Sequence, residues 1–410
     1  MVRRNAGFIG TDGINAPDKP TGVSASGGNE SASVSFTAPT DVGGSAITSF
    51  IATSNDGIGA SGSSSPISVT GLSNGTSYTF RVIARNAFGS SAQSDASDSV
   101  TPASSRALFF GGYGTGTANA RANVIDFVDI GTAGNASDFG DLTTNSIYNG
   151  ACSSSTRAVR GGGSSNAASG AATSDMETMD YVTIASTGNG TDFGDLTTDR
   201  YRGDNGFSNS TRGIFGGGAN SSDTYLDIIE YITIASTGNG TDFGNLITAT
   251  RDLGSFSSST RGVFAGGQKG SDSSATNVIQ YITIASTGNA SDFGDLTTAT
   301  YSGIGGCSSA TRGLIGGGYT SSEVNTIEYV TIASTGNATD FGDLTVARYF
   351  LGATSNPTRG LFAGGYGSGL QRNTLDFVTI ASTGNASDFG DLTVAGNGLS
   401  ATSVSHGGLQ

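Results

Sequence analysis

The residues able to do chemistry in this chain are few, and most of them recur. There is one His, His406, and there are two Cys, Cys152 and Cys307, in 410 residues. A single imidazole excludes any centre built on two His ligands, and a His-dependent triad would have to use a residue near the end of the sequence. Two Cys are too few for a thiolate zinc site or a disulfide-stapled scaffold. They occupy equivalent places in two repeats, just ahead of a Ser/Thr-Arg marker, and are expected to be small buried free thiols. Carboxylates are more plentiful. Asp138, Asp192, Asp242, Asp292, Asp340 and Asp388 each open an Asp-Phe-Gly triplet, and a second Asp follows three residues later except where Asn245 interrupts the series. Clustered oxygens of this kind could hold calcium. A ligand or catalytic residue has no reason to occur six times at even spacing, however, so these Asp are expected to fix turns by accepting backbone N–H groups.

A second series is cationic. Arg106, Arg157, Arg212, Arg261, Arg312 and Arg359 each follow Ser or Thr. They could line a channel and grip an anion. Their even periodicity favours a structural fastener, each Arg pairing with an Asp of its own or the adjacent repeat. Asn-X-Ser/Thr precedes every triplet, as in Asn337-Ala-Thr339. Such sites accept glycans in secreted eukaryotic proteins; here they are expected to serve as turn residues.

The elements that must hold these residues are repeats. The triplet Phe stands at 139, 193, 243, 293, 341 and 389, a period near 50 that means a solenoid or a propeller. Each copy parses into four short strands, illustrated by the last full one: Leu351 to Thr354 before the Arg, Gly360 to Ala363 after it, a Tyr/Phe-Val-Thr-Ile run, and the Asp-Phe-Gly-Asp-Leu segment. In the third strand both faces carry apolar residues, Ile327 and Tyr329 against Val330 and Ile332, as expected of a strand covered on both sides. The first copy lacks the strand before Arg106, and residues 397–408 supply one at the other end of the repeats, with His406 expected at the Arg position. That pattern predicts a ring of six blades, closed by a C-terminal strand that removes open edges.

Composition narrows the function classes. Gly accounts for 66 residues, there is no Trp, and the formal charge is −14. Nucleic acid as a partner is excluded by the absence of a concentrated basic face, and the acidic balance argues against an anionic membrane surface. No apolar stretch is long enough for a membrane span, and MVRRNAGFIGTDGINAP lacks the apolar core of a signal peptide. Synthesis in the cytoplasm as a soluble protein is therefore expected, with no membrane insertion and no cofactor.

Residues 15–103 alternate in short segments, Val34 to Phe36, Ile47 to Ala52 and Tyr78 to Ile83, between Gly, Ser, Asn and Pro turns. With Pro17 and Pro20 at the start, Leu72, the Tyr78-Phe80-Val82-Ala84 alternation and Val100-Thr-Pro102, this stretch resembles a fibronectin type III β-sandwich. Tyr78 would be its corner tyrosine, and Phe36 stands where that family has Trp. Residues 104–410, through Leu344 to Arg348 followed by Tyr349 to Gly365, resemble kelch repeats, again without the family's Trp. The fold class expected is all-β, a fibronectin type III-like sandwich followed by a six-bladed kelch-like β-propeller.

The cassette at 331–345, Thr-Ile-Ala-Ser-Thr-Gly-Asn-Ala-Thr-Asp-Phe-Gly-Asp-Leu-Thr, is similar to virion structural proteins of marine tailed bacteriophages. That resemblance implies a non-enzymatic virion component, a tail, fibre or decoration appendage present in multiple copies. Residues 1–14 would be an arm docking into other virion proteins, and the propeller would be displayed at the virion surface for host contact or particle stabilisation. The copies vary most after Gly-Gly, where Tyr113, Tyr319 and Tyr366 would line one rim and offer rigid amphipathic faces to a host-surface glycan or protein. A bacterial extracellular adhesin or filament subunit is the alternative, and a carboxylate-pair glycan-active enzyme a third reading.

Overall fold

In a computed structural model, the chain is described over residues 14–102, 104–114, 122–165, 174–203, 205–270 and 272–409. The docking arm expected at 1–14 lies, except for Ile14, outside the described residues. All regular elements are strands apart from one short 3-10 turn, Gly407–Leu409. No helix among the described residues is long and apolar enough to cross a membrane. The chain divides into two compact units, Met1–Ser104 and Ser105–Gln410.

The first unit holds two antiparallel sheets. One is formed by Thr21–Gly28, Ser31–Thr37 and Ile67–Thr70, the other by Gly59–Gly62, Ser49–Ser54, Phe80–Asn86 and Gly89–Ser90. Period-two alternation places Val34, Phe36, Ala52, Phe80 and Val82 in one buried cluster. Phe36 lies 4.8 Å from Phe50, ring centre to ring centre. The Ser73 backbone N–H donates to the Tyr78 hydroxyl at 3.0 Å, so this buried tyrosine pins the loop before it.

Among the described residues the second unit contains six sheets with a four-stranded antiparallel path, and one two-stranded sheet, Thr250–Arg251 with Gln268–Lys269. One of them runs Gly305–Ser308, Arg312–Gly316, Thr326–Thr331, Thr339–Asp343. Its middle strands are buried on both faces: Leu314 and Ile315 are adjacent and both in the core, as are Ile327 and Glu328. The first sheet takes its opening strand from the far end of the chain, Ser400–Ser403 pairing antiparallel with Arg106–Phe110. Apolar clusters fill the spaces between sheets. Leu314, Phe341 and Leu344 pack with Phe362 and Val378 of the next sheet, and Leu361, Leu375 and Phe389 pack with Ala107, Phe109 and Val128 of the first. Each such fully buried Leu or Phe stabilises the fold by roughly 1.5–3 kcal/mol.

The opening strands lie side by side in cyclic order, and a serine near the end of each links them. Ser208 Oγ donates to the Ser153 carbonyl, Ser257 to Ser208, Ser308 to Ser257 and Ser355 to Ser308, at 2.7–2.8 Å. Ser403 donates to Ser355, and Ser153 donates to Ser403 at 2.7 Å, so the cycle returns to its start. All six serines are buried.

This register displaces His406 from the expected Arg position. With Ser403 as the sixth serine, the place of the Arg falls on Gly407, and His406 turns inward instead. His406 Nε2 lies 3.1 Å from Ser208 Oγ and 3.3 Å from the Ser153 carbonyl, while the Gly408 N–H donates to Nδ1 at 3.1 Å. The chain then passes so close to the serines that a Cβ on Gly408 would stand 1.7 Å from the Ser208 carbonyl oxygen. His406 borders a small space of about 30 Å³ enclosed by the opening strands.

Candidate contact surface

At the other end of the opening strands, six residues take the left-handed backbone conformation: Tyr148, Arg202, Asp252, Gly303, Phe350 and Gly398, with φ between 52° and 65°. Four of them carry bulky or charged side chains, for which this conformation is costly and is retained only where the surroundings enforce it. Backbone hydrogen bonds tie them in series. Phe350 N–H reaches the Gly303 carbonyl at 2.8 Å, Gly398 reaches Phe350 at 2.8 Å, and Tyr148 reaches Gly398 at 2.7 Å. Asp252 N–H reaches the Arg202 carbonyl at 3.0 Å.

Three of them, Tyr148, Arg202 and Phe350, join neighbouring tyrosines in a continuous aromatic and cationic patch. Tyr349 contacts Tyr319, Tyr366 and Phe350, with ring centres 5.2, 5.6 and 4.9 Å apart. Phe350 continues to Tyr148 at 4.9 Å, and the Arg202 guanidinium lies over both, 5.2 Å from Tyr148 and 5.5 Å from Phe350. The tyrosines are half-buried, leaving part of each ring facing solvent. Arg202 is anchored from beneath by the fully buried Asp252 carboxylate at 3.2 Å. Arg251 bridges Asp252 and Asp223 and stacks on Tyr225.

Burial and hydrogen bonding set the charge states here. Burial, followed by its hydrogen bond to Asp223, pushes the Tyr201 hydroxyl up to about 12. Burial also raises Tyr349, with neighbouring Tyr366 adding to it. Asp223 is held below the usual carboxylate range, first by the hydroxyl that Tyr201 donates. Asp252 is raised by burial, with Arg202 and Arg251 opposing that shift. The patch thus offers neutral phenols and aromatic faces beside a fixed guanidinium, a surface suited to stacking and hydrogen bonding.

Of the tyrosines expected on this rim, Tyr319 and Tyr366 meet through Tyr349. Tyr113 does not join them: it pairs through its backbone with Asn397 in the short strand Tyr113–Gly114 and takes no part in the ring contacts described. Tyr148, Arg202, Tyr349 and Phe350 carry the patch but were not marked by sequence. Their one signal is that all sit within the segment between the triplet and the next opening strand, where the copies differ.

The repeated Arg residues do fasten neighbouring sheets, and the bonds they make between sheets run to backbone carbonyls. Arg106, Arg157, Arg212, Arg261 and Arg312 donate at 2.7–3.0 Å to the backbone carbonyls of Ile184, Ile234, Ile284, Ile332 and Ile380. Arg359 donates to Ile130 and Gly131. Each guanidinium also lies 4.3–5.0 Å from the ring centre of a Tyr or Phe in its own sheet. A backbone carbonyl and a ring face stand where a carboxylate was expected.

The triplet Asp residues are also placed differently from expectation. Asp138, Asp192, Asp242, Asp292, Asp340 and Asp388 lie exposed within the outer strands, next to a register shift, and fix no turn. The recurring side-chain bond at this edge is made instead by the Asn of Asn-X-Ser/Thr, and it joins neighbouring sheets. Asn189 Oδ1 accepts the Asp141 N–H at 3.1 Å, and the same bond runs through Asn239, Asn289, Asn337 and Asn385 to Asn135, which accepts from Asp391. A backbone N–H needs an acceptor at that edge, and Asn is long enough to reach it from the adjacent sheet. Among the described residues, no group of three or more His, Cys, Asp or Glu comes together to hold a metal ion. Cys152 and Cys307 are buried and free, and burial pushes both thiols up.

A feature that sequence reading missed lies between the sheets. The third strands carry an inward polar residue, Asp126, Asp180, Glu230, Gln280, Glu328 or Asp376, that accepts from residue 393, 143, 197, 247, 297 or 345 of the preceding sheet. Arg160, Arg200 and Arg348, all buried, pair with Asp180, Glu230 and Asp376. A polar residue at one fixed place in an otherwise apolar strand was the available signal.

The fibronectin type III domain family model matches residues 18–100, the stretch that holds the two packed sheets and the Tyr78 bond. A comparison with curated proteins finds no match for the chain.

Proposed function

We propose that the six sheets are the blades of a kelch-like β-propeller, carried behind a fibronectin type III domain, and that the protein is a non-enzymatic virion appendage whose aromatic patch contacts a host-surface glycan or protein. The serine cycle, the pairing of Ser400–Ser403 with Arg106–Phe110, and the reach of Arg359 to Ile130 support the closed arrangement. The observation that carries the contact role is the patch itself. Four non-glycine residues are held in a left-handed conformation at one end of the opening strands; Tyr148 and Phe350 supply aromatic rings, and the buried Asp252 pins the Arg202 guanidinium beside them. Sugar rings stack on such faces through their C–H groups, and protein side chains pack on them by burying apolar area. The tailed-phage cassette supports the setting on a particle, and the propeller's mouth would then point outward.

The test has two arms. Gold-labelled antibody imaging by electron microscopy should place the protein on the particle, and label on free cellular material only would refute the virion setting. Purified protein applied to host cell-wall glycans should bind saturably, and Tyr349→Ala should weaken that binding at a temperature where the variant is still fully folded. Equal binding by the variant would refute the patch as the contact surface.

A further inference from the structure

The buried Arg–carboxylate pairs expose a junction where an acid is kept, its Arg is lost and the space between the sheets stays open. Arg200 and Arg348 stand eight residues after their triplet Asp, at the boundary with the next sheet. Arg200 pairs with Glu230 and donates to the Gly217 carbonyl at 3.2 Å; Arg348 pairs with Asp376 at 3.0 Å. The equivalent residue at the next boundary is Thr250, and there the acid is also replaced, by the neutral Gln280. The two changes match.

At the following boundary they do not. Thr300 occupies the Arg position, yet Glu328 keeps its carboxylate, buried at 7% exposure. Glu328 accepts the Thr297 N–H at 3.1 Å and the Thr297 hydroxyl, as Asp376 does from Thr345, but no cation among the described residues pairs with it. The volume vacated by the guanidinium remains open. A cavity of about 160 Å³ is bounded by Glu328, Thr300, Gly317, Thr320, Ile304 and Ile315. That is comparable to engineered cavities of about 150 Å³ that accept a benzene-sized molecule. Thr297 and Thr298 at its edge are exposed. Asp126, the other inward acid that pairs with no Arg among the described residues, faces a space of only about 20 Å³.

The geometry points to a binding site for an alkylguanidinium group between these two sheets. Its planar donors would meet the Glu328 carboxylate and the Gly317 carbonyl, as the Arg200 guanidinium meets Glu230 and Gly217. Its alkyl part would lie against Ile304 and Ile315. A buried carboxylate gains most from a cation able to donate two parallel hydrogen bonds, which favours guanidinium over a compact ammonium. Such a group arrives either as a free small molecule or as the arginine side chain of a peptide.

Titration of the full chain by calorimetry with methylguanidinium, at matched ionic strength, tests this. One saturable site is expected in the parent protein. Glu328→Gln, which copies Gln280, should weaken binding about tenfold by removing the charge-assisted bonds. Thr300→Arg, which copies Arg200, should abolish binding by occupying the cavity with its own guanidinium, and should melt at or above the parent temperature. The N-acetylated, C-amidated tripeptide Gly-Arg-Gly distinguishes the sources. Binding of both probes assigns the site to an arginine side chain; binding of methylguanidinium alone assigns it to a free small cation. No saturable binding to the parent, or equal binding by Glu328→Gln, overturns the proposal.

Discussion

Acidification should release the segment that carries His406. Burial holds this imidazole down to about 4, against about 6.5 in an unfolded chain. The neutral ring suits its site: Nδ1 accepts from Gly408, and the Nε2 proton faces Ser208 Oγ and the Ser153 carbonyl. Because the folded value is depressed, the stabilisation is fully present above pH 6.5 and is lost progressively as pH falls toward 4. The difference in proton affinity corresponds to roughly 3 kcal/mol once pH is well below 4, and by pH 4.5 it raises the population with the segment detached on the order of fifty- to a hundredfold. Hydrogen exchange read by mass spectrometry, corrected for intrinsic rates, should show residues 404–409 and the strand Gly206–Ser208 losing protection between pH 6.5 and 4.5. His406→Asn should remove most of that pH dependence while the other strands behave as in the parent. If the variant and the parent lose protection equally, the buried imidazole is not the group responsible and the reasoning fails.

Three further outcomes follow from the sheet boundaries. Burial raises Asp126 above its ordinary value, so its contribution is full below the unfolded carboxylate pKa and is lost as pH rises through the folded one; Asp126→Asn should melt higher than the parent at neutral pH and converge with it in acid. Arg200→Thr should cost roughly 3–5 kcal/mol by stranding Glu230, and adding Glu230→Gln should restore most of it, because Thr250 with Gln280 is that pair at the next boundary; a thermal-melt double-mutant cycle reads the coupling. Gly294→Ala should destabilise the unit by about 2 kcal/mol or more, since a Cβ there would sit 2.4 Å from the Gly336 carbonyl oxygen at φ 148°; an unchanged urea midpoint would count against that close approach.

The strand content of the repeats was legible because the chain states it six times. Arg359-Gly-Leu-Phe-Ala followed by Gly-Gly is a strand followed by a turn in any context, and the triplet marks the outer edge of each sheet. What each marker bonds to was less legible. An Arg near an Asp suggests an ion pair on charge alone, but in the folded unit the nearest acceptor is an isoleucine carbonyl about 70 residues away in most copies. The recurring bond expected of Asp is made by the Asn three residues before it, and because it crosses between sheets it leaves no local spacing to read. Tyr319 and Tyr366 could be picked from the variable segments, whereas Arg202 and Phe350 depend on which segments become neighbours. The inward acids could have been found by comparing copies: Arg200 with Glu230 and Thr250 with Gln280 change together.

The pairing of Ser400 with Phe110 joins strands separated by roughly 290 residues. At a synthesis rate of about 5–20 residues per second, the Arg106–Phe110 strand emerges from the ribosome about 15–60 seconds before its partner exists. Throughout that interval its edge and the apolar Leu108 and Phe110 lack their final cover. The first sheet is therefore the last to be completed, and nascent chains in a crowded polysome carry one another's missing strand within reach. Exchange of residues 400–403 between two such chains would satisfy the same four backbone positions, so intertwined dimers are the misassembly this architecture must outrun.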